Sequence, residues 1–235
     1  MSPVPLTAKE LAALAAIDTP TVCNALEVLL PERRGYGFTV EPLVCAFPDL
    51  PPMVGYARTA TIRSTRPSAK SKQAAQEQRL AYYAYVEQGP RPSIALIQDI
   101  DARPGYGAFW GEVNTTIHKG LGCIGTVTNG CVRDLTAIAE GFQMLAGTIA
   151  PSHAYVHLEE IGVTVNIHGM IVQPGDLVHA DRHGAVVIPH EVAKKVPEAA
   201  ALLGRREGVI LAAARKPGFN VEALRKAMGD AEEIH

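Results

Sequence analysis

The chain has 235 residues, with 22 basic against 24 acidic side chains and a net charge of -2. That length holds one domain, or a domain with a substantial appendage, around a core of ordinary size. The charges are well mixed. The densest basic stretch, Arg58 to Lys72, is broken by apolar and hydroxyl residues, which argues against nucleic acid as the main partner. No apolar run approaches the roughly 18 residues of a membrane span, and Met1 to Glu10 lacks a basic region followed by an apolar one. The four cysteines, Cys23, Cys45, Cys123 and Cys131, form no C-x-x-C pair, so a structural zinc site has little support. Cys123 and Cys131 read as reduced core thiols. The expectation is a reduced cytoplasmic protein with no nucleic-acid and no membrane partner.

In chain order, Thr7 and Glu10 have the spacing of a capping box opening a short helix through Ile17. Thr19-Pro20 then offers an N-cap and a first-turn proline for a helix to about Leu30. Residues 31–52 read as loop with a short strand. Alternation over Val54 to Ser64 predicts a strand, and Ser71 to Glu87 a helix ending before Gly89-Pro90. Ser93 to Gln98 is a short apolar strand running into Asp99. Glu112 to Lys119 reads as a helix stopped by Gly120, Gly122 to Thr128 as a buried strand, and Arg133 to Glu140 as a helix halted by Gly141. Residues 93–140 thus form a pair of β/α units. Beyond Gly141 come short strands at Phe142–Thr148, Val163–Ile167, Met170–Val172, Leu177–Ala180 and Ala185–Ile188, with turns at Pro174-Gly175-Asp176 and Asp181 to Gly184. A helical pattern follows from Glu191 to about Arg215, with Pro197 marking a kink, and a last helix spans Val221 to Met228.

The chemistry concentrates in Gly111-Glu112-Val113-Asn114 and Thr128 to Asp134, with twenty residues between Glu112 and Arg133. If the β/α units are parallel neighbours, these turns converge at the carboxyl ends of the strands, where ligands bind in open α/β sheets. Free amides after Gly111 favour an anion. Arg133 can grip a carboxylate in a bidentate fork and offset charge on an enolate oxygen. Asp134 is a hard oxygen ligand for Mg²⁺ or Mn²⁺, and Glu112 can act through a metal-bound water or as a base. Taken alone, an Arg-Asp pair opening a helix is also an ordinary dipole-complementing feature.

The stretch as a whole resembles the RraA-like family, which includes class II pyruvate aldolases cleaving 4-hydroxy-4-methyl-2-oxoglutarate and 4-carboxy-4-hydroxy-2-oxoadipate. The resemblance runs from about Leu11 to Pro189. Its landmarks are Gly55-x-Ala57-x-Thr59, the strand ending in Asp99, Gly111-Glu112, Asn129-Gly130-x-Val132-Arg133-Asp134, Pro174-Gly175-Asp176 and Ala180-Asp181-x-x-Gly184. The acidic residue separated from Arg-Asp by twenty residues is Glu112 here, where many members have Asp. Asn129 and Asn24 also stand where Asp is frequent.

The resemblance implies a mixed three-layer β/β/α core of swivelling-domain type with helical N- and C-terminal extensions. Residues 1–190 would form the catalytic domain, and 191–235 a helical extension packing on it or on a neighbouring subunit. It implies direct metal binding by Asp134, a metal-bound water at Glu112, and the pyruvyl end of the substrate on Arg133. Gly111, Glu112, Val113 and Asn114 would form the substrate loop. It further implies a homotrimer or hexamer in which a neighbour's carboxylate, Glu207, completes the metal's outer shell. The expected activity is metal-dependent C–C cleavage of a 4-hydroxy-2-oxo acid releasing pyruvate. One alternative is decarboxylation of oxaloacetate or a related 2-oxo acid; another is a non-catalytic regulator that binds a ribonuclease or other protein.

Other signals read as structural. His153/His157 and His179/His183 have the i, i+4 spacing of a helical metal pair but lie on no credible helix, and read as solvent or interface histidines. His118 and His168 could approach the substrate from loops. Gly105-Tyr106-Gly107 lacks the third glycine of a dinucleotide loop, and Trp110 reads as a core cap beside the pocket.

Overall fold

The computed structural model describes residues 5–235; the first four positions of the stretch inspected for a leader lie outside the described residues. Four parallel strands form the centre of a mixed sheet, in the order β5, β4, β3, β2. They are β2 (Met53–Arg63), β3 (Ser93–Asp99), β4 (Cys123–Val132) and β5 (Gln143–Ile149). The short β1 (Val44–Cys45) borders β5 antiparallel. At the other side β9 (Leu177–Asp181) runs antiparallel to the first part of β2, and β10 (Gly184–Ile188) pairs with β9. β6 (His157–Ile161) pairs antiparallel with the last part of β2. A separate hairpin, β7 (Val165–Ile167) and β8 (Met170–Val172), covers one face.

The side-chain period of two explains the layering. Along β3, Ile94 and Leu96 point to the hairpin side, where they meet Val127, Leu145, Ile167 and Met170. Ala95 and Ile97 point the other way, beneath α3 (Lys72–Glu87) and α4 (Glu112–Gly120), among Tyr82, Trp110 and Phe142. A strand covered on both faces must be apolar throughout, and β3 is buried at six of its seven positions. Leu96 is opposite Thr59 on one side and Val127 on the other, and Val127 is opposite Leu145, so the central strands are in register through one continuous core row. Truncating such a row at Leu96 to Ala is worth about 2–5 kcal/mol.

A third apolar cluster joins the chain ends. α1 (Ala8–Ala15), α2 (Thr19–Leu29) and the first half of α5 (Val196–Ala214) pack on β9 and β10 through Leu14, Val22, Ile188, Val196 and Ala199. α6 (Val221–Glu232) follows α5. The mixed β/β/α core with helical ends is therefore present. No single helix among the described residues is long and apolar enough to cross a membrane.

Several local expectations are corrected. The N-cap of α2 is Asp18, whose carboxylate accepts from the Thr21 amide at 2.9 Å, one residue before the expected Thr19. β4 continues through Asn129 to Val132, with a register irregularity between Thr128 and Cys131. Residues 133–140 form turns instead of a helix. Pro197 sits in the first turn of α5, where a proline fits, and not within the helix interior. β6 arises from a polar segment that shows no strand alternation. His179 is fully buried, with Thr19 Oγ1 at 3.0 Å and the Ile17 carbonyl at 2.9 Å, and ties the N-terminal helices to β9. It is a core histidine, not a solvent one.

His118 is likewise no loop residue. It lies on α4 with no exposure, ringed by Tyr82, Tyr83, Phe109 and Trp110. Nδ1 faces the Asn114 carbonyl at 2.6 Å and must donate to it, so Nε2 of the neutral ring accepts from Tyr82 Oη at 2.8 Å. Burial pulls its pKa from the ordinary 6.5 down to about 4. Between those values the unfolded chain binds a proton that the folded one refuses. Stability is thus complete above the unfolded pKa and falls with acidification, by about 3 kcal/mol across the window. Urea unfolding between pH 7 and 4 should show that loss in the wild type and a shallower one in His118→Gln, whose amide can still donate and accept. Equal slopes would put the acid sensitivity elsewhere.

Candidate active site

The carboxyl ends of β3 and β4 carry the candidate residues, and a return loop brings α4 to them. Asp99 ends β3 and is buried; its carboxylate accepts from the Gly105 and Asp101 amides at 2.8 and 3.0 Å, which anchors the loop. Burial raises its pKa above the usual carboxylate value, and those amides partly offset the rise. The loop then runs through Trp110, fully buried, which forms a parallel bridge with Val132. The Arg133 amide donates to the Trp110 carbonyl at 3.0 Å. Gly111 and α4 are thereby laid against Arg133 and Asp134, so the two motifs meet as the sequence spacing implied.

Gly111 is the N-cap of α4 and supplies no capping side chain. Its φ of -165° is ordinary extended backbone; what requires glycine is proximity. A Cβ there would stand 2.6 Å from Asp134 Oδ2 and 3.4 Å from Arg133 Nε. The first-turn amides of α4 are free of helical partners, and the bond from the Thr115 amide to the Gly111 carbonyl at 3.0 Å closes the first turn. Thr115, fully buried, holds this turn in place. Its hydroxyl lies 3.0 Å from the Gly111 and Glu112 carbonyls and accepts from the Ala139 amide at 3.3 Å.

Asp134 lies at φ 57°, in the left-handed region, directly after β4. Its Oδ2 is 3.5 Å from Arg133 Nε, and both side chains are 35% exposed. No hydrogen bond among the described residues takes up the remaining carboxylate lone pairs, so they are available to a cation. Asn129 serves the scaffold: Oδ1 accepts from the Asp99 amide at 2.8 Å while Nδ2 donates to the Asp99 carbonyl at 2.9 Å. Only an amide can do both. Gly147 on β5 lies so close behind it that a Cβ would stand 2.4 Å from the Asn129 carbonyl oxygen.

Arg133, Gly111, Glu112, Val113 and Asn114 line a cavity of about 630 Å³. The opposite wall comes from α3 with Ala75, Arg79 and Tyr83, and a third from residues 153–157. Asn114 contributes backbone more than side chain, since its Oδ1 accepts from Tyr83 Oη at 2.7 Å and its Nδ2 donates to the Phe109 carbonyl. Residues that sequence reasoning did not place here are Arg79, Tyr83 and Tyr155. The four-residue spacing of Ala75, Arg79 and Tyr83 signals one helix face, but not what it faces. His153 and His157 do line the cavity, from a loop and from β6, and His157 is paired with Glu159 at 3.0 Å. His168 instead pairs with Glu41 at 2.8 Å and does not line it. Trp110 is core. Glu207 is exposed on α5 and outside the cavity lining. Burial lifts the Cys123 and Cys131 thiols to about 11, so neither is a ready nucleophile. A second cavity, of about 400 Å³ around Arg33, Tyr36 and His190, holds none of the candidate catalytic, substrate or metal residues, although the landmark Asp176 lines it.

The profile of the RraA-like family, described as Aldolase/RraA, matches residues 19–187. The chain belongs to the RraA-like family. It is 37% identical over 102 residues to the uncharacterized protein MJ0644 of Methanocaldococcus jannaschii, covering 43% of this chain and 49% of that protein. It is 28% identical over 123 residues to protein DlpA of Legionella pneumophila, covering 48% of this chain and 18% of that protein. The matched segments thus span half or less of those relatives' own length. Among solved structures, an uncharacterized protein from Pseudomonas syringae superposes with a TM-score of 0.72 at 23% identity, covering 96% of this chain and 97% of the other. Streptomyces coelicolor RraAS2, described as an unusual member of the RNase ES inhibitor RraA protein family, gives 0.63 at 23% identity, covering 87% and 96%. At such identities these likenesses establish the fold. The family contains both aldolases and ribonuclease inhibitors.

The backbone at Asp134 gives a stability test whose sign depends on local structure. In the left-handed turn Asp134→Gly should be more stable than Asp134→Ala by about 1 kcal/mol, a midpoint difference of about 2–4 °C. In the helix anticipated from sequence, alanine would instead be favoured by a similar margin. Thermal unfolding of the two variants decides between them.

Proposed function

We propose that this protein is a divalent-metal-dependent lyase that cleaves a C–C bond of a 4-hydroxy-2-oxo acid and releases pyruvate. The observation carrying the reading is the meeting of Arg133 and the free first-turn amides of α4 at one cavity, with the Asp134 carboxylate outside the lining but 3.5 Å from Arg133 Nε. No group of three or more His, Cys, Asp or Glu side chains among the described residues gathers around a metal position. A cation held by one carboxylate and otherwise by water and substrate oxygens is the habit of Mg²⁺, and Mn²⁺ accepts the same donors. Asp134 fits as the direct ligand and Glu112 as the partner of a bound water. Such a cation, when bound, would polarise the 2-oxo group as a Lewis acid.

The chain's own residues account for the remaining work. The amides after Gly111 bind the substrate carboxylate at the positive end of α4. Glu112 takes the proton of the C4 hydroxyl, and a carbonyl forms at C4 as the C3–C4 bond breaks. The released pair forms the C2–C3 double bond, and the 2-oxo π pair moves onto the C2 oxygen to give an enolate. The Arg133 guanidinium offsets that charge in a partly water-excluded pocket, and protonation at C3 yields pyruvate. Loss of CO₂ from oxaloacetate leaves the same enolate, so decarboxylation is the companion activity. Glu207, exposed on α5, takes part only if a second copy brings it, so a trimer or hexamer belongs to this reading.

The test is pyruvate release from 4-hydroxy-4-methyl-2-oxoglutarate and from oxaloacetate, with added Mg²⁺ or with EDTA. Release should require the metal. It should fall by at least about 100-fold in Asp134→Asn, which tolerates the same backbone, and in Arg133→Lys, which lacks the planar fork. Gly111→Ala should stay folded and lose activity by displacing the Asp134 carboxylate. No release from either substrate under any metal would reject the lyase and leave a protein-binding role. Full activity in Asp134→Asn would reject Asp134 as the ligand.

A further inference from the structure

We infer that Arg79 on α3 binds the distal carboxylate of a dicarboxylic 2-oxo acid whose pyruvyl end lies at Arg133, and so makes the cavity selective for dianions. The inference rests on the lyase reading of the same cavity, and it adds a residue and a charge rule to it.

Charge accounting of the lining supports the assignment. Arg133 is offset by Asp134, and Glu159 is engaged with the His157 ring. Arg79 makes no ion pair and donates no hydrogen bond among the described residues, although it borders the cavity. The one carboxylate on the lining, Glu112, is not paired with it either. A guanidinium left free at the edge of a concave site selects for an anion.

Geometry supports it as well. α3 is capped by Ser71, whose hydroxyl accepts from the Ala74 amide at 3.2 Å, and it turns Ala75, Arg79 and Tyr83 toward the cavity at successive turns. Tyr83 Oη donates to Asn114 Oδ1 at 2.7 Å. That bond fixes α3 against the head of α4, so Arg79 stands one turn away from a point tied to the pyruvyl site. The lining also includes Ala108, Phe109, Val113 and Val156. Apolar surface shared with two arginines suits a short carbon chain with a carboxylate at each end. The volume of about 630 Å³ leaves room for more than the pyruvyl end.

Two acids of equal length that cannot undergo the retro-aldol step isolate this subsite: 2-oxoglutarate, with a distal carboxylate, and 2-oxopentanoate, with a methyl group there. Isothermal titration calorimetry in Mg²⁺ buffer should show the wild type binding 2-oxoglutarate about tenfold more tightly, with the preference shrinking at high salt. Arg79→Gln, at an exposed position, should bring the two affinities within about threefold of each other by weakening only the dianion. Arg79→Lys should retain part of the preference. Equal affinities in the wild type, or an undiminished preference in Arg79→Gln, would overturn the inference while leaving the pyruvyl site standing. Binding of neither acid would overturn the site reading and this inference together.

Discussion

A single backbone hydrogen bond, from the Arg133 amide to the Trp110 carbonyl, holds the candidate site together. It lies at the bridge of Trp110 to Val132, where the loop between β3 and α4 meets the end of β4. Together with the bond from the Ala139 amide to Thr115 Oγ1, it keeps the amides after Gly111 beside the carboxylate of Asp134. Its own security comes from Trp110, which is fully buried with His118 at 4.5 Å and Phe142 at 5.7 Å between ring centroids. Burying an indole contributes strongly to anchoring, although its Nε1 finds no partner among the described residues. Apolar packing thus secures a polar site.

The side chains around the site divide into those that face the cavity and those that hold others still. Asn114, Thr115, Asn129 and Asp99 spend their polar atoms on backbone groups or on one another's loops. Arg133, Glu112 and Arg79 line the cavity, and the Asp134 carboxylate, 3.5 Å from Arg133 Nε, has no hydrogen-bond partner among the described residues. The departure at Asn129 from the more frequent Asp becomes intelligible on this basis. An amide there donates to one strand group and accepts from its neighbour, so the residue acts in the β3–β4 junction, and the change from Asp leaves the cavity's charge untouched.

The sequence made the central sheet legible because β2 to β5 are buried on both faces over most of their length, and so read as runs rich in apolar and β-branched residues. Glu112 and Arg133, singled out by the family pattern, border one cavity, with Asp134 beside Arg133. The sequence reading failed at residues 133–140 for an identifiable reason. Leu135, Ile138 and Ala139 have helical spacing and do pack against the core, but Asp134 at φ 57° starts the segment in a turn that no helix can continue. β6 was missed because its pairing with β2, and not its own polar pattern, makes it a strand. Arg79 was invisible for a related reason: a helical face can be read from one segment, whereas the cavity it borders is built from three.

The Asn129-Gly130 junction also bears on how the molecule ages. An asparagine followed by glycine is the dipeptide in which the next backbone nitrogen most easily attacks the side-chain carbonyl, closing a succinimide that opens to a carboxylate. Here the Asn129 amide is engaged with the Asp99 backbone, and the Gly130 nitrogen donates to Thr128 Oγ1 at 2.9 Å. The attacking and attacked atoms are each occupied, so the reaction must wait for local opening of the β3–β4 edge. Once it occurs it is one-way. The product sets a carboxylate against the Asp99 carbonyl, where a donor used to be, and the strand end carrying Arg133 and Asp134 loses its tie. The stability of that edge therefore acts as a chemical clock for the site beside it.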